Sequence, residues 1–169
     1  GDTQMSIEDR DAAHSDFWRI HSDGLAFLLR GFQEDGIDAQ QARHEPVLPG
    51  KIFDVTLPVW RVGETLLQAQ RLAANLFDGP TTIRFIATYE GLSGRALTSI
   101  DHRRLIWEGG VSRQNSITLN THVDAQAIDA NLPEIVHPLL SPLYALFDFF
   151  ELSSQLVLEE LTRMRKGRS

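Results

Sequence analysis

Cysteine is absent from the 169-residue sequence. Its absence excludes disulfide bonds, thiolate metal sites and a cysteine nucleophile. Long hydrophobic runs are also missing, since no apolar stretch approaches the roughly eighteen residues that a membrane-spanning helix needs. Residues 1–14 are polar and acidic, and they lack the apolar segment of a secretory signal peptide. These absences predict a cytoplasmic protein that has no contact with a membrane.

Basic residues are fewer than acidic residues in the sequence. Sixteen Lys and Arg residues face 23 Asp and Glu residues, which gives a formal net charge of −7. Attraction to the phosphate backbone supplies most non-specific affinity for nucleic acid, and a negative protein is repelled by it. We therefore predict that this chain does not bind nucleic acid directly.

The length and a hydrophobic content of 42% fit one globular domain with its own core. Residues 1–16 are predicted to be a disordered tag remnant and linker, because the chain starts at Gly1 and has no apolar period there. Residues 17–165 are predicted to form a single domain, followed by a basic tail over 166–169. This organisation indicates a domain excised from a longer protein, with a processed full-length chain as the alternative.

Residues 17–30 predict a β-hairpin. Two runs of β-favouring residues flank Asp23 and Gly24, and glycine accepts the positive φ that a tight turn requires. A helix is the competing interpretation, because the second run is rich in leucine. Residues 33–50 lack a sustained apolar period, so we expect a loop with one helical turn.

The clearest helix is predicted over residues 62–77, where apolar residues recur every three or four positions. These are Val62, Leu66, Ala69, Ala73 and Leu76. The helix is expected to end at Asp78-Gly79-Pro80, a typical stop sequence. A strand over 53–57 is predicted before it, with Pro58 ending the strand.

Alternation of apolar and polar residues predicts further strands over 83–89 and 116–123. Residues 95–100 and 105–107 are two shorter candidates. Asp124 follows the last strand and is expected to cap a short helix, because its carboxylate can accept from the free amides of a first turn.

Three prolines interrupt the chain after this point. Because an interior proline lacks a donor and clashes one turn back, Pro133, Pro138 and Pro142 are predicted to prevent one long helix. We expect a short turn over 133–137 and a new helix that starts at Ser141-Pro142.

The last helix is predicted to begin at Ser153 or Ser154 and to pack through Val157, Leu161 and Met164. The order of elements is a hairpin, a strand, a helix, several strands and then helices. Because strands and helices do not alternate strictly, this order predicts an α+β fold. Its antiparallel sheet is expected to carry one main packing helix and a helical C-terminal segment.

The patterns of common catalytic and metal sites do not occur in the sequence. No two of the six histidines have a spacing that converges on a metal. There is no G-x-S-x-G elbow and no glycine-rich phosphate loop. The carboxylate pairs Glu34-Asp35 and Glu159-Glu160 are expected to face solvent. We predict no catalytic residue, no metal and no cofactor.

Two charged groups remain as candidate contact sites. The densest polar cluster comprises Asp101, His102, Arg103 and Arg104. It suits an anion or a partner, although local pairing between aspartate and arginine is the simpler explanation. The basic residues at the C-terminus are Arg163, Arg165, Lys166 and Arg168. They suit a partner or nucleic acid, but cations at a helix C-terminus also complement the helix dipole.

Tryptophan beside arginine suggests a docking face for another domain, because both residue types are enriched at interfaces. The residues that predict this face are Trp18, Trp60, Arg61 and Trp107. Anchoring within the core or at an interface is the default interpretation of such tryptophans.

Three stretches together resemble a known family. They are 19–24 (RIHSDG) with 28–35 (LLRGFQED), 53–64 (FDVTLPVWRVGE) and 89–95 (YEGLSGR). They are similar to the region that follows the Schlafen/AlbA-like module in bacterial transcriptional regulators, which are described as DNA-binding or ATP-binding proteins. The resemblance covers roughly residues 17–165.

The resemblance implies a companion domain that senses an effector, oligomerises or positions the N-terminal DNA-binding module of the parent chain. The Glu-rich motif leading into Phe-Lys that marks the Schlafen/AlbA-like module is absent here. No DNA-contacting or nucleotide-binding residue is therefore carried over to this chain.

Two functions are weighed from the sequence. The first is a non-catalytic C-terminal accessory domain of a transcriptional regulator, with self-association, effector sensing or domain docking as its role and a homo-oligomer as its expected state. The second is a small-molecule-binding or hydrolytic domain with a pocket between the sheet and the 62–77 helix. Convergence of His122, Asp101 and Arg103 would favour the second.

Overall fold

The computed structural model describes residues 16–36, 48–100 and 110–167. Contacts divide the chain into two compact units, Gly1–Ile52 and Phe53–Ser169. Helices and antiparallel strands occur together, which confirms the α+β prediction. The single domain predicted over 17–165 stays a prediction.

The first unit contains the expected hairpin. Strand β1 (Asp16–Ile20) pairs antiparallel with strand β2 (Ala26–Arg30). Gly24 adopts a φ of +90° in the turn, which explains why glycine is needed there. The Asp23 carboxylate accepts from the backbone N–H of Leu25 at 3.1 Å and fixes the turn further. A 3-10 turn over Gln33–Gly36 provides the one helical turn that was predicted after the hairpin.

The second unit contains the following elements among its described residues: β3 (Ile52–Asp54, which begins at the boundary), α1 (Leu57–Leu76), β4 (Thr82–Glu90), β5 (Ala96–Thr98), β6 (Ser116–Asp124), α2 (Leu132–Tyr144) and α3 (Ser154–Lys166). β3 is hydrogen-bonded to β5, and β4 is paired antiparallel with β6 along its full length. The strands predicted over 83–89 and 116–123 are thereby confirmed. Since each pair stands as a separate two-stranded sheet, no larger sheet forms among these described strands.

The start of α1 corrects the prediction for residues 53–58. The strand ends at Asp54, and Leu57 already belongs to the helix, with Pro58 in its first turn. Proline suits this position, because the N–H that it lacks has no helical partner there. Leu76 was predicted to belong to the apolar stripe of this helix, but it lies at the exposed end of the helix rather than in the core.

A buried carboxylate connects this helix start to the sheet. Asp54 Oδ1 accepts from the backbone N–H groups of Thr56 and Leu57, at 2.7 and 2.9 Å. Its Oδ2 accepts from the backbone N–H of Ile100 at 2.8 Å. These bonds satisfy the buried charge and place it at the positive end of the helix dipole, so Asp54 has a structural role.

Helix α2 corrects the prediction made from the three prolines. Leu132–Tyr144 is one continuous helix with Pro138 and Pro142 inside it. Its buried face consists of five aliphatic side chains and one tyrosine: Leu132, Val136, Leu139, Leu140, Leu143 and Tyr144. Burying six such side chains, at roughly 1.5–3 kcal/mol for each large aliphatic one, outweighs about 3 kcal/mol for each interior proline. The Ser141 hydroxyl bonds the His137 carbonyl at 2.7 Å instead of capping a new helix.

An aromatic cluster lies at the centre of the second unit. Phe53 stacks on Phe147 with ring centroids 4.9 Å apart, and it meets Tyr144 edge-on at 6.5 Å. The hydroxyl of the fully buried Tyr144 donates to the Val55 carbonyl at 2.5 Å. This bond ties α2 to the segment that leads into α1, and no sequence pattern predicted it.

Helix α3 agrees with its prediction. Ser153 caps it by accepting from the Leu156 N–H at 3.1 Å. The three residues predicted to pack, Val157, Leu161 and Met164, are all buried. α3 approaches α1 closely at Gly63, where a Cβ would lie only 2.5 Å from Leu161 Cδ2.

Candidate functional site

The β1–β2 hairpin exposes large apolar side chains on both of its faces. Trp18 and Ile20 lie on one face, and Phe17, Phe27 and Leu29 lie on the other, because strand residues alternate. These five side chains are 42–61% exposed. Phe17 and Phe27 contact each other edge-on, with centroids 6.5 Å apart. Since contiguous exposed apolar surface of this kind marks interaction sites, the hairpin is the leading candidate.

The outer edge of β1 has unpaired backbone groups. The N–H of His21 donates to the Leu25 carbonyl at 2.8 Å, which identifies this pair as a hydrogen-bonded one in the register. Because hydrogen-bonded and non-bonded pairs alternate, the N–H and C=O groups of Asp16, Trp18 and Ile20 point away from β2. The described residues provide no backbone partner for them. Such an edge is a template for another strand.

Trp60 and Arg61, two members of the predicted docking face, lie in the first half of α1. The Trp60 indole N–H donates to Glu160 Oε2 on α3 at 2.8 Å. Arg61 lies 4.0 Å from Glu64 in the next turn. Trp18 belongs to the other unit, and Trp107 lies outside the described residues. The structure therefore describes no common surface for the four.

Glu160 corrects the expectation that the carboxylate pairs face solvent. Its side chain is 2% exposed, and Glu34 is buried as well. Besides the bond from Trp60, Glu160 accepts from Arg163 Nη1 at 3.0 Å. A buried carboxylate with two donors stabilises the α1–α3 contact. The pattern of α3 did not reveal it, because Glu160 lies next to the apolar stripe rather than in it.

Two members of the predicted basic tail are engaged within the second unit. Arg163 pairs with the buried Glu160, and Arg165 pairs with Asp129 at 2.8 Å. With Lys166 they form the last turn of α3, where positive charge complements the helix dipole. Arg168 lies outside the described residues, as does the whole predicted cluster over 101–104. Asp101, His102, Arg103 and Arg104 thus remain a prediction.

A strained turn after α2 is a feature that sequence reasoning missed. Asp148 and Phe149 have φ values of 51° and 62°, which is uncommon for phenylalanine. Phe149 is 91% exposed. The turn is held by Asp148 Oδ2, which accepts from the Val111 N–H at 3.1 Å, and by the absence of a side chain at Gly110. A run of aromatic residues around Asp148 was the only signal in the sequence.

The described residues of the second unit line two clefts of similar volume, among others. One of about 330 Å³ lies between the end of α1 and the start of β4, with Gln70, Phe77 and Gln126 among its lining residues. It lies beside the C-terminal end of the predicted 62–77 helix, and the pocket predicted between the sheet and that helix stays a prediction. The other, of about 320 Å³, lies between β6 and α2 and includes His122. The predicted convergence of His122 with Asp101 and Arg103 falls partly outside the described residues.

Residues 16–36, 48–100 and 110–167 contain no group of three or more His, Asp or Glu side chains placed to hold a metal ion. Within the described part of the chain, none of the helices combines the length and the apolar character needed to cross a bilayer.

Comparison with protein-family models, curated proteins and solved structures finds no match to this chain. The resemblance to the region after the Schlafen/AlbA-like module therefore stays a prediction.

Proposed function

We propose that this chain is an accessory domain of a transcriptional regulator and that it acts through self-association. The observation that carries the proposal is the β1–β2 hairpin, which exposes large apolar side chains on both faces. A two-stranded hairpin is marginally stable in water without further packing. A second copy would supply packing for these side chains and a partner for the strand edge that has none among the described residues.

The residues of β1 are self-complementary about Trp18. In an antiparallel pair related by a two-fold axis, Trp18 lies opposite Trp18 of the second copy and their outward backbone groups bond to each other. Asp16 then faces Ile20, and Phe17 faces Arg19, each twice. An arginine over a phenylalanine ring is a favourable cation–π pair, of about 0.5–1 kcal/mol at an exposed site. The result is a four-stranded sheet.

The size of this surface sets the expected strength. Aromatic side chains bury roughly 150–250 Å² each, so a half-exposed one leaves on the order of 100 Å² available. The exposed apolar residues of one hairpin then offer a few hundred Å², less than the roughly 800 Å² per partner of a standard interface. Self-association is therefore expected to be weak and dependent on concentration.

Sedimentation velocity of the whole chain over a wide concentration range tests the proposal. Trp18→Pro removes an N–H that points away from β2, so it blocks the proposed edge while the hairpin bonds remain. Ala26→Pro is the matched control, because its N–H points outward from the opposite edge. We expect the wild type and Ala26→Pro to dimerise with increasing concentration, and Trp18→Pro to stay monomeric.

Two outcomes would contradict the proposal. A wild-type chain that stays monomeric at high micromolar concentration excludes self-association. Dimers that survive Trp18→Pro but not Ala26→Pro place the contact on β2 instead of β1. Far-UV circular dichroism of both variants checks that the fold is retained.

The regulatory role rests on the resemblance. A dimerising domain behind a DNA-binding module raises the effective concentration of the second module once the first is bound. The charge of −7 supports an accessory role, since a negative domain adds no attraction to phosphates. The N-terminal DNA-binding module of the parent chain is the proposed partner within the same polypeptide.

A second candidate function has one observation in its favour. The cleft at the end of α1 has a volume of about 330 Å³, and amide side chains of Gln70 and Gln126 line it beside Phe77. Small-ligand sites combine apolar walls with a few polar groups, and this volume is at the lower end of their range. The cleft therefore supports a small-molecule site as an alternative to self-association.

A further inference from the structure

The cleft between β6 and α2 runs along a strand edge. It has a volume of about 320 Å³ and is lined by residues 120–123 of β6 and by Glu134, Ile135, Pro138 and Leu139 of α2. Successive strand residues point to opposite faces of a sheet. A cleft that is lined by four consecutive strand residues must therefore follow the edge of the strand. The α2 residues are spaced i, i+1, i+4 and i+5, so one face of the helix forms the other wall.

The backbone of β6 is unpaired along this edge. The N–H of Ala125 donates to the Thr81 carbonyl at 2.9 Å, which fixes the alternation of bonded pairs between β4 and β6. The close Thr88–Thr118 hydroxyl contact at 3.0 Å agrees with this alternation, because non-bonded pairs bring side chains closer. The N–H and C=O groups of Asn120 and His122 consequently point away from β4. The described residues provide no partner for them.

The α2 wall is rich in hydrogen-bond acceptors. Pro138 has no N–H to donate to the Glu134 carbonyl, and Pro142 has none for the Pro138 carbonyl. Both carbonyls thus lose their usual helical donor, and both residues line the cleft. The Glu134 side chain adds a carboxylate at the exposed surface. Ile135 and Leu139 contribute the apolar part of the wall.

We infer that this groove binds an extended peptide segment, which adds to β6 as a third strand and carries a basic and an apolar side chain two residues apart. Strand addition supplies the backbone bonds that Asn120 and His122 lack. Alternate residues of a strand are about 6.6 Å apart. Glu134 and Leu139 are five residues apart on α2, a rise of roughly 7.5 Å that is close to this spacing. The basic side chain therefore meets the carboxylate while the apolar one reaches Leu139.

This inference is independent of the proposed self-association, because it concerns a different strand in a different unit. We assign the groove to a peptide rather than to a second copy of the chain. Its hydrogen-bond acceptors favour a cationic segment, whereas the chain itself is acidic. A peptide bound there also gives the two interior prolines of α2 a function: they remove the usual helical donors of two carbonyls on the residues that line the cleft.

The experiment measures fluorescence anisotropy of labelled, end-capped peptides added to the whole chain. The probes are Thr-Arg-Thr-Leu-Thr and its reverse, because the peptide direction selects between them, and Thr-Glu-Thr-Leu-Thr is the control probe. His122→Pro removes the outward N–H in the groove, and Thr118→Pro removes the equivalent N–H on the same edge outside it. Glu134→Lys reverses the charge in the groove, and Glu151→Lys makes the same change to net charge at an exposed loop residue outside it.

We expect saturable binding of one arginine probe and at least tenfold weaker binding of the glutamate probe. His122→Pro should weaken binding by at least tenfold, while Thr118→Pro leaves it within about twofold. Glu134→Lys should weaken it by about fivefold relative to Glu151→Lys, as an exposed ion pair permits. If His122→Pro does not fold, the comparison of Glu134→Lys with Glu151→Lys tests by itself whether the peptide binds in the groove.

Three results would overturn the inference. The first is no binding of either arginine probe to the wild type. The second is equal weakening by Glu134→Lys and Glu151→Lys, which would indicate net charge rather than the groove. The third is a wild-type dimer that His122→Pro dissociates, which would assign this edge to a second copy of the chain.

Discussion

Gly63 offers a sharp test of the α1–α3 contact, because two effects of Gly63→Ala oppose each other. Alanine in a helix interior is favoured over glycine by about 1 kcal/mol. The added Cβ would lie 2.5 Å from Leu161 Cδ2 and 3.3 Å from Met164 Sδ, both in buried side chains. Displacing packed side chains costs about 1–3 kcal/mol. We therefore expect Gly63→Ala to lower the free energy of unfolding by up to about 2 kcal/mol.

A control variant and a double-mutant cycle isolate the contact between Gly63 and Leu161. Gly167→Ala adds a Cβ at the end of α3, where φ is −70° and the nearest atom is 3.7 Å away. It should be neutral or stabilising by up to about 1 kcal/mol. Leu161→Ala removes the clashing methyl group at a cost of about 2–5 kcal/mol. In that background Gly63→Ala should become stabilising by about 1 kcal/mol, because helix propensity is then unopposed.

Urea unfolding followed by far-UV circular dichroism measures these free energies, with unchanged m-values required for the comparison. Stabilisation by Gly63→Ala in the wild-type background, equal to that of Gly167→Ala, would refute the close approach of α1 and α3.

Two further predictions concern Trp60 and DNA. Trp60→Phe keeps an aromatic side chain, although a smaller one, but removes the donor to the buried Glu160. It should lower the free energy of unfolding by about 1.5–3 kcal/mol in the same urea assay. An effect below about 0.5 kcal/mol, the usual size for a surface substitution, would mean that the bond is not maintained. Labelled duplex DNA should show no anisotropy change with the whole chain at low salt, because the net charge is −7. Binding that weakens steeply with added salt would instead identify a phosphate-contacting surface.

Local patterns predicted most of the elements. Asp23 and Gly24 predicted the hairpin, and the alternation of apolar and polar residues predicted the two long strands. Ser153, as a helix cap, predicted the start of α3. Each of these signals acts within a few residues, so it can be read without knowing what the segment packs against. The α+β class followed from the order of these elements.

Local rules gave a wrong prediction where burial changed the balance of energies. Pro138 and Pro142 each oppose a helix, but the apolar face of α2 gains more from packing than the prolines cost. Because Glu159 and Glu160 are adjacent in the sequence, both were predicted to face solvent. The burial of Glu160 is explained by Trp60, which donates to it from another helix. The residues around Pro58 are compatible with the end of a strand and with the start of a helix. The helix forms because the buried Asp54 carboxylate accepts from the Leu57 N–H in its first turn.

The sequence by itself determined the charge, the lack of thiol chemistry and the type of most elements, because these depend on composition and on neighbours along the chain. Only the tertiary structure decided which surfaces remain open. The apolar residues of the β1–β2 hairpin are exposed, and the sequence pattern alone did not predict this. The edge of β6 becomes a groove only because α2, which begins eight residues after β6 ends, folds back beside it. Unpaired edges and clefts arise from contacts between distant segments, so no local pattern can encode them.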